Sequence, residues 1–281
     1  MILVNNACFS YTDQPFIKDV NFEVKKGEIF GFLGPSGAGK STLQKMLTGL
    51  ITTYTGSVIV NNQECKHLNN KFYEDIGVDF EFPSLYEKLT AKENLRFFGG
   101  LYQKELRDVE ELLDRVGLLL DADKKVGAFS KGMKSRLNFI KALLHDPDIL
   151  FLDEPTSGLD PSCSRQMKDI ILDEKKKGKT IILTTHNMLD ATELCDRVAF
   201  IVDGKIKALD SPHNLIMSKG AKKLTYSYID NGEKVGECLL HETSQDQKLQ
   251  WLLLNNRITS IHSSEPSLND IFIEVTGRGL Q

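Results

Sequence analysis

Residues 19–24 alternate polar and apolar without a break, the period of a strand with one face in water, and the runs 3–11 and 28–33 on either side also read as strands. Lys25-Lys26-Gly27 supplies the turn between the second and the third. A glycine-rich loop and a helix over 40–50 come next, then short β-branched strands at 56–60 and 76–80. The middle of the chain takes a helical period. Thr90-Ala91-Lys92-Glu93 is a capping box, since the threonine hydroxyl and the glutamate carboxylate satisfy two orphan amides. A helix over 108–116 carries Val109, Leu112, Leu113 and Val116 on one face and stops at Gly117, and another spans 133–144 before Asp146-Pro147. Beyond residue 148 the period changes again. The short apolar runs 149–152 and 180–184 predict buried parallel strands. The helix between them has Asp160 as cap, Pro161 at its first position and Gly178 beyond its end. Residues 197–207 form a hairpin turning at Asp203-Gly204. From about Lys219 a smaller module reads strand 223–229, strand 234–240, helix 245–254, strand 258–262 and helix 267–276.

Strands alternating with helices put the chain in the α/β class, and its 281 residues allow one large domain or two modest ones. Apolar residues at 41% and charged residues at 26% exclude disorder, collagen-like repeats and coiled coil. The 35 basic and 39 acidic side chains leave a net charge of −4 with no basic arm, so a nucleic-acid partner is not expected. Cys8, Cys65, Cys163, Cys195 and Cys238 are scattered singly, without zinc or disulfide spacing, as in a reducing compartment. The first residues lack a signal peptide's basic start and long apolar core. Apolar runs such as 198–202 fall far short of the ~20 residues that cross a bilayer. A cytosolic chain that does not itself span a membrane is expected.

Gly34-Pro35-Ser36-Gly37-Ala38-Gly39-Lys40-Ser41 fits GxxxxGK[ST], after an apolar strand and before a helix, with Thr42 next. Its glycines let the backbone curl until several N–H groups face phosphate oxygens. Lys40 reaches the outer phosphates and the Ser41 hydroxyl offers a ligand to magnesium. Asp153 and Glu154 end a buried strand where parallel sheets hold ligands. Such a pair alone also serves as a helix cap or turn. Beside a phosphate loop, Asp153 can hold the metal and Glu154 can polarise an attacking water. Phe129-Ser130-Lys131-Gly132-Met133 reads by itself as a capped helix start whose free amides suit an anion. His186 follows a strand at the same sheet end, where a lone histidine is commonly a turn residue.

Taken in order, Tyr11, the phosphate loop, Glu81, Ser130-Lys131-Gly132-Met133, Asp153-Glu154-Pro155, Ser157-Gly158-Leu159-Asp160 and His186 resemble the ATP-binding cassette ATPases over about residues 1–209. The resemblance implies a P-loop ATPase core with a mainly parallel sheet, an antiparallel β subdomain and an α-helical subdomain inserted at about 82–145. Together these make a nucleotide-binding domain over 1–218, followed by a small α/β appendage over 219–281. It further implies that Tyr11 stacks on adenine, that Glu81 takes the Q-loop glutamine's position beside the metal, and that His186 contacts the γ-phosphate. Ser130 and Gly132 would close on ATP held by an opposite subunit, with Asp160 across that interface.

Two departures from the commoner pattern stand out: Ser-Lys-Gly-Met replaces Ser-Gly-Gly-Gln, and Glu81 replaces glutamine. With Glu265-Pro266-Ser267-Leu268-Asn269-Asp270-Ile271-Phe272 and Thr276-Gly277, they look like cassette subunits of bacterial drug, antibiotic and lipid exporters. The function so implied is Mg2+-dependent ATP hydrolysis that powers export through separate integral-membrane permease subunits. Two such chains, or one with a second ATPase subunit, would pair on the inner face of the cell membrane. A soluble cassette ATPase acting on ribosomes or DNA is the alternative, though that class usually carries two cassettes or a coiled-coil insertion. Phe82-Pro83-Ser84-Leu85-Tyr86, apolar for a connector, is expected to help receive a helix of the membrane partner.

Overall fold

The computed structural model describes residues 1–218, 223–230, 232–264 and 266–279, which form two compact units, Met1–Leu209 and Asp210–Gly279. In the first, β1 (Ile2–Phe9) pairs antiparallel with β2 (Ile17–Val24) in the register Ile2↔Val24 and Val4↔Phe22. The alternation seen in the sequence buries Val20, Phe22 and Val24 together on one face of β2. β3 (Ile29–Leu33) is buried at every position, which only a strand covered on both faces achieves. It leads through the glycine-rich loop into α1 (Lys40–Leu47). β4 (Thr55–Val60) becomes the other neighbour of β1, and β5 (Gln63–Glu64) closes an antiparallel sheet of order β2-β1-β4-β5.

α2 (Asn70–Asp75) then delivers β6 (Ile76–Asp79) to a second sheet. Next comes the helical insertion, α3 (Ala91–Gly99), α4 (Val109–Arg115) and α5 (Lys131–Lys141). The capping box at Thr90 is formed: its Oγ1 accepts from the Glu93 amide at 3.1 Å, and its own amide donates to Glu93 Oε2 at 2.8 Å. The chain returns through β7 (Ile149–Asp153), α6 (Pro161–Lys176), β8 (Thr180–Thr185), α7 (Met188–Leu194), β9 (Arg197–Val202) and β10 (Lys205–Asp210). The second sheet runs β10-β9-β3-β8-β7-β6, with the four pairs from β9 to β6 parallel. β3, β7 and β8 therefore end side by side, and the loops after them share one edge of the sheet.

One buried ionic cluster fastens the helical insertion to α6. Glu174, with no accessible side-chain surface, accepts from Arg107 at 2.9 Å, Arg115 at 3.1 Å and Lys177 at 2.8 Å. Burial alone would raise its pKa, but the hydrogen bonds and charges of Lys177 and Arg107 outweigh it and hold the carboxyl below its ordinary value.

The second unit contains α8 (Pro212–Met217), β11 (Lys223–Ile229), β12 (Glu233–Leu239), α9 (Gln247–Leu254), β13 (Ile258–Ser264) and α10 (Leu268–Thr276). β11 lies between β12 and β13, antiparallel to both, and α9 adds Leu249 and Leu252 to a small core with Tyr226 and Tyr228. Lys219, where the sequence reading begins its appendage, and Glu265 of the closing motif lie outside the described residues.

Several expected boundaries shift: the helix expected over 133–144 runs Lys131–Lys141, and β2 begins at Ile17 instead of residue 19. The helix over 40–50 closes at Leu47 because Gly49 turns left-handed at φ 73°. The first strand ends at Phe9, and the helix expected from 245 starts at Gln247, capped by Asp246. Three short helices, α2, α7 and α8, were not expected, whereas α4, also short at seven residues, is marked by its apolar face.

Candidate nucleotide site

The phosphate loop is shaped by what its glycines lack. A Cβ on Gly34 would stand 2.2 Å from the Ile201 carbonyl oxygen of β9, and Gly37 and Gly39 adopt φ of 77° and 113°. Gly39 caps α1 without a side chain, so the amides of its first turn are left to a ligand. The loop is also propped from behind. The Gly204 amide donates to the Ala38 carbonyl at 3.1 Å, and the Gly204 carbonyl accepts from Lys18 at 2.9 Å. A Cβ on Gly204 would meet the Phe16 carbonyl oxygen at 1.7 Å. Lys40 Nζ donates to the carbonyls of Gly34 (2.6 Å) and Pro35 (3.1 Å). Burial lowers its pKa, while Glu154, Asp153 and Glu81 pull in the other direction.

Both acidic residues sit where β7 runs out. Asp153 Oδ1 accepts from Ser41 Oγ at 3.4 Å and from Thr184 Oγ1 of β8. Glu154 takes a left-handed φ of 53°, a conformation that costs a non-glycine residue about 1–3 kcal/mol and persists where its surroundings impose it. Its amide donates to the Thr184 carbonyl at 3.0 Å, and its Oε1 lies 2.9 Å from His186 Nδ1. Around these groups opens a cavity of about 240 Å³, lined by the loop from Ser36 to Thr42 and by Glu81, Asp153, Glu154 and His186. Tyr11 stands at its margin, its hydroxyl 3.1 Å from Thr42 Oγ1 and its half-exposed ring edge-on to Phe9 and Phe16.

The structure thus gathers Lys40, Ser41, Thr42, Glu81, Asp153, Glu154 and His186 at one cavity. It leaves Ser130, Gly132 and Asp160 off the lining. Ser130 and Asp160 cap α5 and α6, their side chains accepting from Met133 (3.2 Å) and from Ser162 and Cys163 (3.1 and 3.0 Å). Phe16, Ser157 and Thr184 are additional: Phe16 and Ser157 line the cavity, and Thr184 orients Asp153. β8 carries threonines at 180, 184 and 185, so nothing local singled out Thr184. Ser41, Asp153 and Glu81 offer hard oxygen donors around one space, the chemistry that suits Mg2+.

Asp79 of β6 is buried two residues before Glu81, and burial pushes its pKa up to about 7 against the opposing pull of Lys141 and Asn138. The folded protein therefore keeps this proton up to near pH 7, whereas the unfolded chain releases it near pH 4. The stabilisation is full below the unfolded pKa and is lost as pH rises toward 7. Asp79→Asn cannot ionise, so its stability relative to wild type should improve by roughly 2–4 kcal/mol between pH 4 and pH 8. Urea titrations at the two pH values measure this. Equal differences at both would mean that folding leaves the Asp79 pKa unshifted.

The similarities of the chain to known proteins agree in kind. A family profile described as ABC transporter matches residues 17–157. The fluoroquinolones export ATP-binding protein of Mycobacterium tuberculosis strain H37Rv is 48% identical over 284 aligned residues, spanning 100% of this chain and 94% of its own. The linearmycin resistance ATP-binding protein of Bacillus subtilis strain 168 is 32% identical and fully spanned on both sides. Among solved structures, an ATP-binding subunit of an ABC transporter superposes with a TM-score of 0.71 at 30% identity, over 78% of this chain and 93% of that one. A dimeric ATP-binding cassette in a post-hydrolysis state, bound to ADP and Pi, gives 0.68 at 26%, over 75% and 98%.

Proposed function

Because the chain belongs to the ABC transporter family, as an ATP-binding, ATP-hydrolysing subunit of its exporter branch, we propose that it drives export through separate integral-membrane subunits on the inner face of the cell membrane. The observation that carries the mechanism is the convergence of the loop, Asp153, Glu154 and His186 on one cavity. Loop amides and Lys40 hold the phosphates, and Ser41, Asp153 and Glu81 would hold Mg2+, which when bound would supply positive charge against that of the phosphates. Glu154 accepts the proton of the attacking water as the new P–O bond forms and the bond to ADP breaks. His186 keeps that carboxylate aimed and faces the γ-phosphate. Tyr11 offers its ring to adenine.

Ser130, Gly132 and Asp160 lie apart from their own chain's cavity, which supports a pair of cassettes each completing the other's site. The appendage from about residue 219 carries no phosphate loop and serves partners rather than nucleotide. Among the described residues no helix is long and apolar enough to cross a membrane, so passage needs other subunits. A soluble ATPase of ribosomes or DNA is not favoured, since the relatives named above are export and resistance proteins.

Phe82 is 78% exposed and Tyr86 half exposed, with the Tyr86 ring against Phe97 and Phe98. Asn94 pins the Tyr86 backbone from both sides, accepting its amide at 2.8 Å and donating to its carbonyl at 3.0 Å. This apolar, anchored loop is the proposed seat of the membrane subunit. The test is to search the neighbouring reading frames for a multi-span membrane protein and to reconstitute the chain with it, in vesicles offered a fluoroquinolone. ATP-dependent transport is expected, while a chain that hydrolyses ATP but neither assembles nor transports would overturn export. In the same vesicles, Leu85→Asp and Tyr86→Asp should keep basal turnover yet lose assembly or stimulation. Unimpaired transport by both would move the contact elsewhere.

A further inference from the structure

β6 is a buried strand of a parallel sheet, a place for apolar side chains, yet it ends in Asp79. Facing it from α5 is a buried Asn138, whose Nδ2 donates to Asp79 Oδ1 at 2.5 Å and to the Phe80 carbonyl at 3.2 Å. One turn further along α5, Lys141 Nζ donates to the Ser84 carbonyl at 3.2 Å and lies 4.6 Å from the centre of the Phe98 ring. The same helix thus grips the backbone just before Glu81 and again just after Pro83. Earlier on that face, Lys131 and Ser135 border a cavity of about 80 Å³ whose other walls include Glu81, Asp153 and Glu154. Residues 131, 135 and 138 follow the helical spacing that puts side chains in one row. The first turn of the row belongs to the segment that begins at Ser130.

We infer that Asn138, Asp79 and Lys141 are positioning residues that clamp the Glu81 loop to the helix started by Ser130, so that the two move as one body in turnover. The inference rests on the proposed roles of Glu81 and Ser130. Stability does not account for the pair, because a buried polar pair is commonly matched or bettered by apolar residues of similar volume. What an apolar pair lacks is direction. Hydrogen bonds to two backbone carbonyls fix the register of loop against helix, whereas packed methyl groups let them slide. A shift at the start of α5, such as closure on a nucleotide held by another subunit would produce, reaches Glu81 without loss through this clamp. Conversely, a displacement of the loop from the membrane side reaches Ser130.

The test compares the full chain with the Asp79→Val/Asn138→Ala double variant, Asp79→Asn, which keeps an acceptor for Asn138, and Lys141→Met. Thermal unfolding, MgATP kinetics and amide exchange are read together. The double variant should unfold within about 3 °C of wild type, while kcat falls about tenfold and KM stays within about twofold. Amide exchange at 80–82 and 84–85 should speed up about tenfold or more, with the phosphate loop unchanged. Asp79→Asn should restore both readouts to within about twofold. A double variant with native kcat and native protection at 80–85 would overturn the clamp. Should that variant fail to fold, Lys141→Met decides by the same two readouts. In a protein without ATPase activity, the functional reading fails on its own and amide exchange alone judges the clamp, with unchanged protection overturning it.

Discussion

Glu154→Gln is expected to bind ATP as wild type does and to turn it over about 10²–10⁴-fold more slowly. The amide has the carboxylate's shape, so its carbonyl oxygen can keep the contact that Oε1 makes to His186 Nδ1 at 2.9 Å. What it loses is basicity, the property needed to take a proton from water as the γ-phosphoryl group transfers. Binding is untouched in this reasoning because the phosphates are held by loop amides and Lys40, whose hydrogen bonds in the structure run to Gly34 and Pro35 and not to residue 154. Nothing in the backbone needs to move either, since the Glu154 amide bond to Thr184 is independent of the side chain. Calorimetric affinity within about threefold of wild type, with single-turnover hydrolysis nearly abolished, is the expected pattern, because an interaction made only in the transition state lowers kcat without weakening ground-state binding. With hydrolysis stopped, a pair of cassettes closed on ATP should accumulate on a sizing column. Full turnover would remove Glu154 from proton transfer.

The largest effect on stability is expected from Glu174→Ala. Removing this carboxylate leaves Arg107 and Arg115, both largely buried, and Lys177 without their common partner. Breaking a buried ion pair from one side typically costs about 3–5 kcal/mol, and here only the more distant, more exposed Asp173 (3.5 Å from Arg115) and Asp146 (3.9 Å from Arg107) remain as partners. For a unit of this size that corresponds to a fall of roughly 6–20 °C in unfolding temperature. The damage should be local in character, because Arg107 precedes α4 and Arg115 ends it, and the variant frees the helical insertion from α6 before it disturbs the sheets. Amide exchange in α4 should rise ahead of that in β3 and β7, and ATP affinity of the folded fraction should be unchanged. A loss below about 1 kcal/mol would mean that the two guanidinium groups reach solvent when released.

The parts of the molecule that could be read from the sequence are those whose signal is contiguous. Eight consecutive residues spell the phosphate loop, and β3, β7 and β8 announce a buried sheet because strands covered on both faces need no alternation. Thr90, Ser130 and Asp160 were legible as caps because a cap acts within three residues of itself. Contacts that cross the fold were not legible. Phe16 enters the cavity wall only because the Asp203-Gly204 turn fixes the start of β2, and Thr184 orients Asp153 only through the pairing of β7 with β8. The partnership of Asp79 with Asn138 joins residues 59 positions apart, and neither carries a local sign of the other. The helix α2 escaped for a different reason: it buries only Phe72, so no apolar row marks it, whereas α4 buries both Leu112 and Leu113 within seven residues.

Gly204 bears on how this protein can drift. Its peptide carries one bond to the phosphate loop at Ala38 and one to Lys18, and the Phe16 carbonyl occupies the place where any side chain would begin. A lineage can exchange the residues on either side of the hairpin turn for others that tolerate a left-handed backbone, but it has no neutral path away from glycine at 204. The segment under selection for nucleotide binding therefore does not end where the GxxxxGK[ST] signature ends. It reappears far downstream, at a position no short motif covers, and inheritance has to keep both places in step.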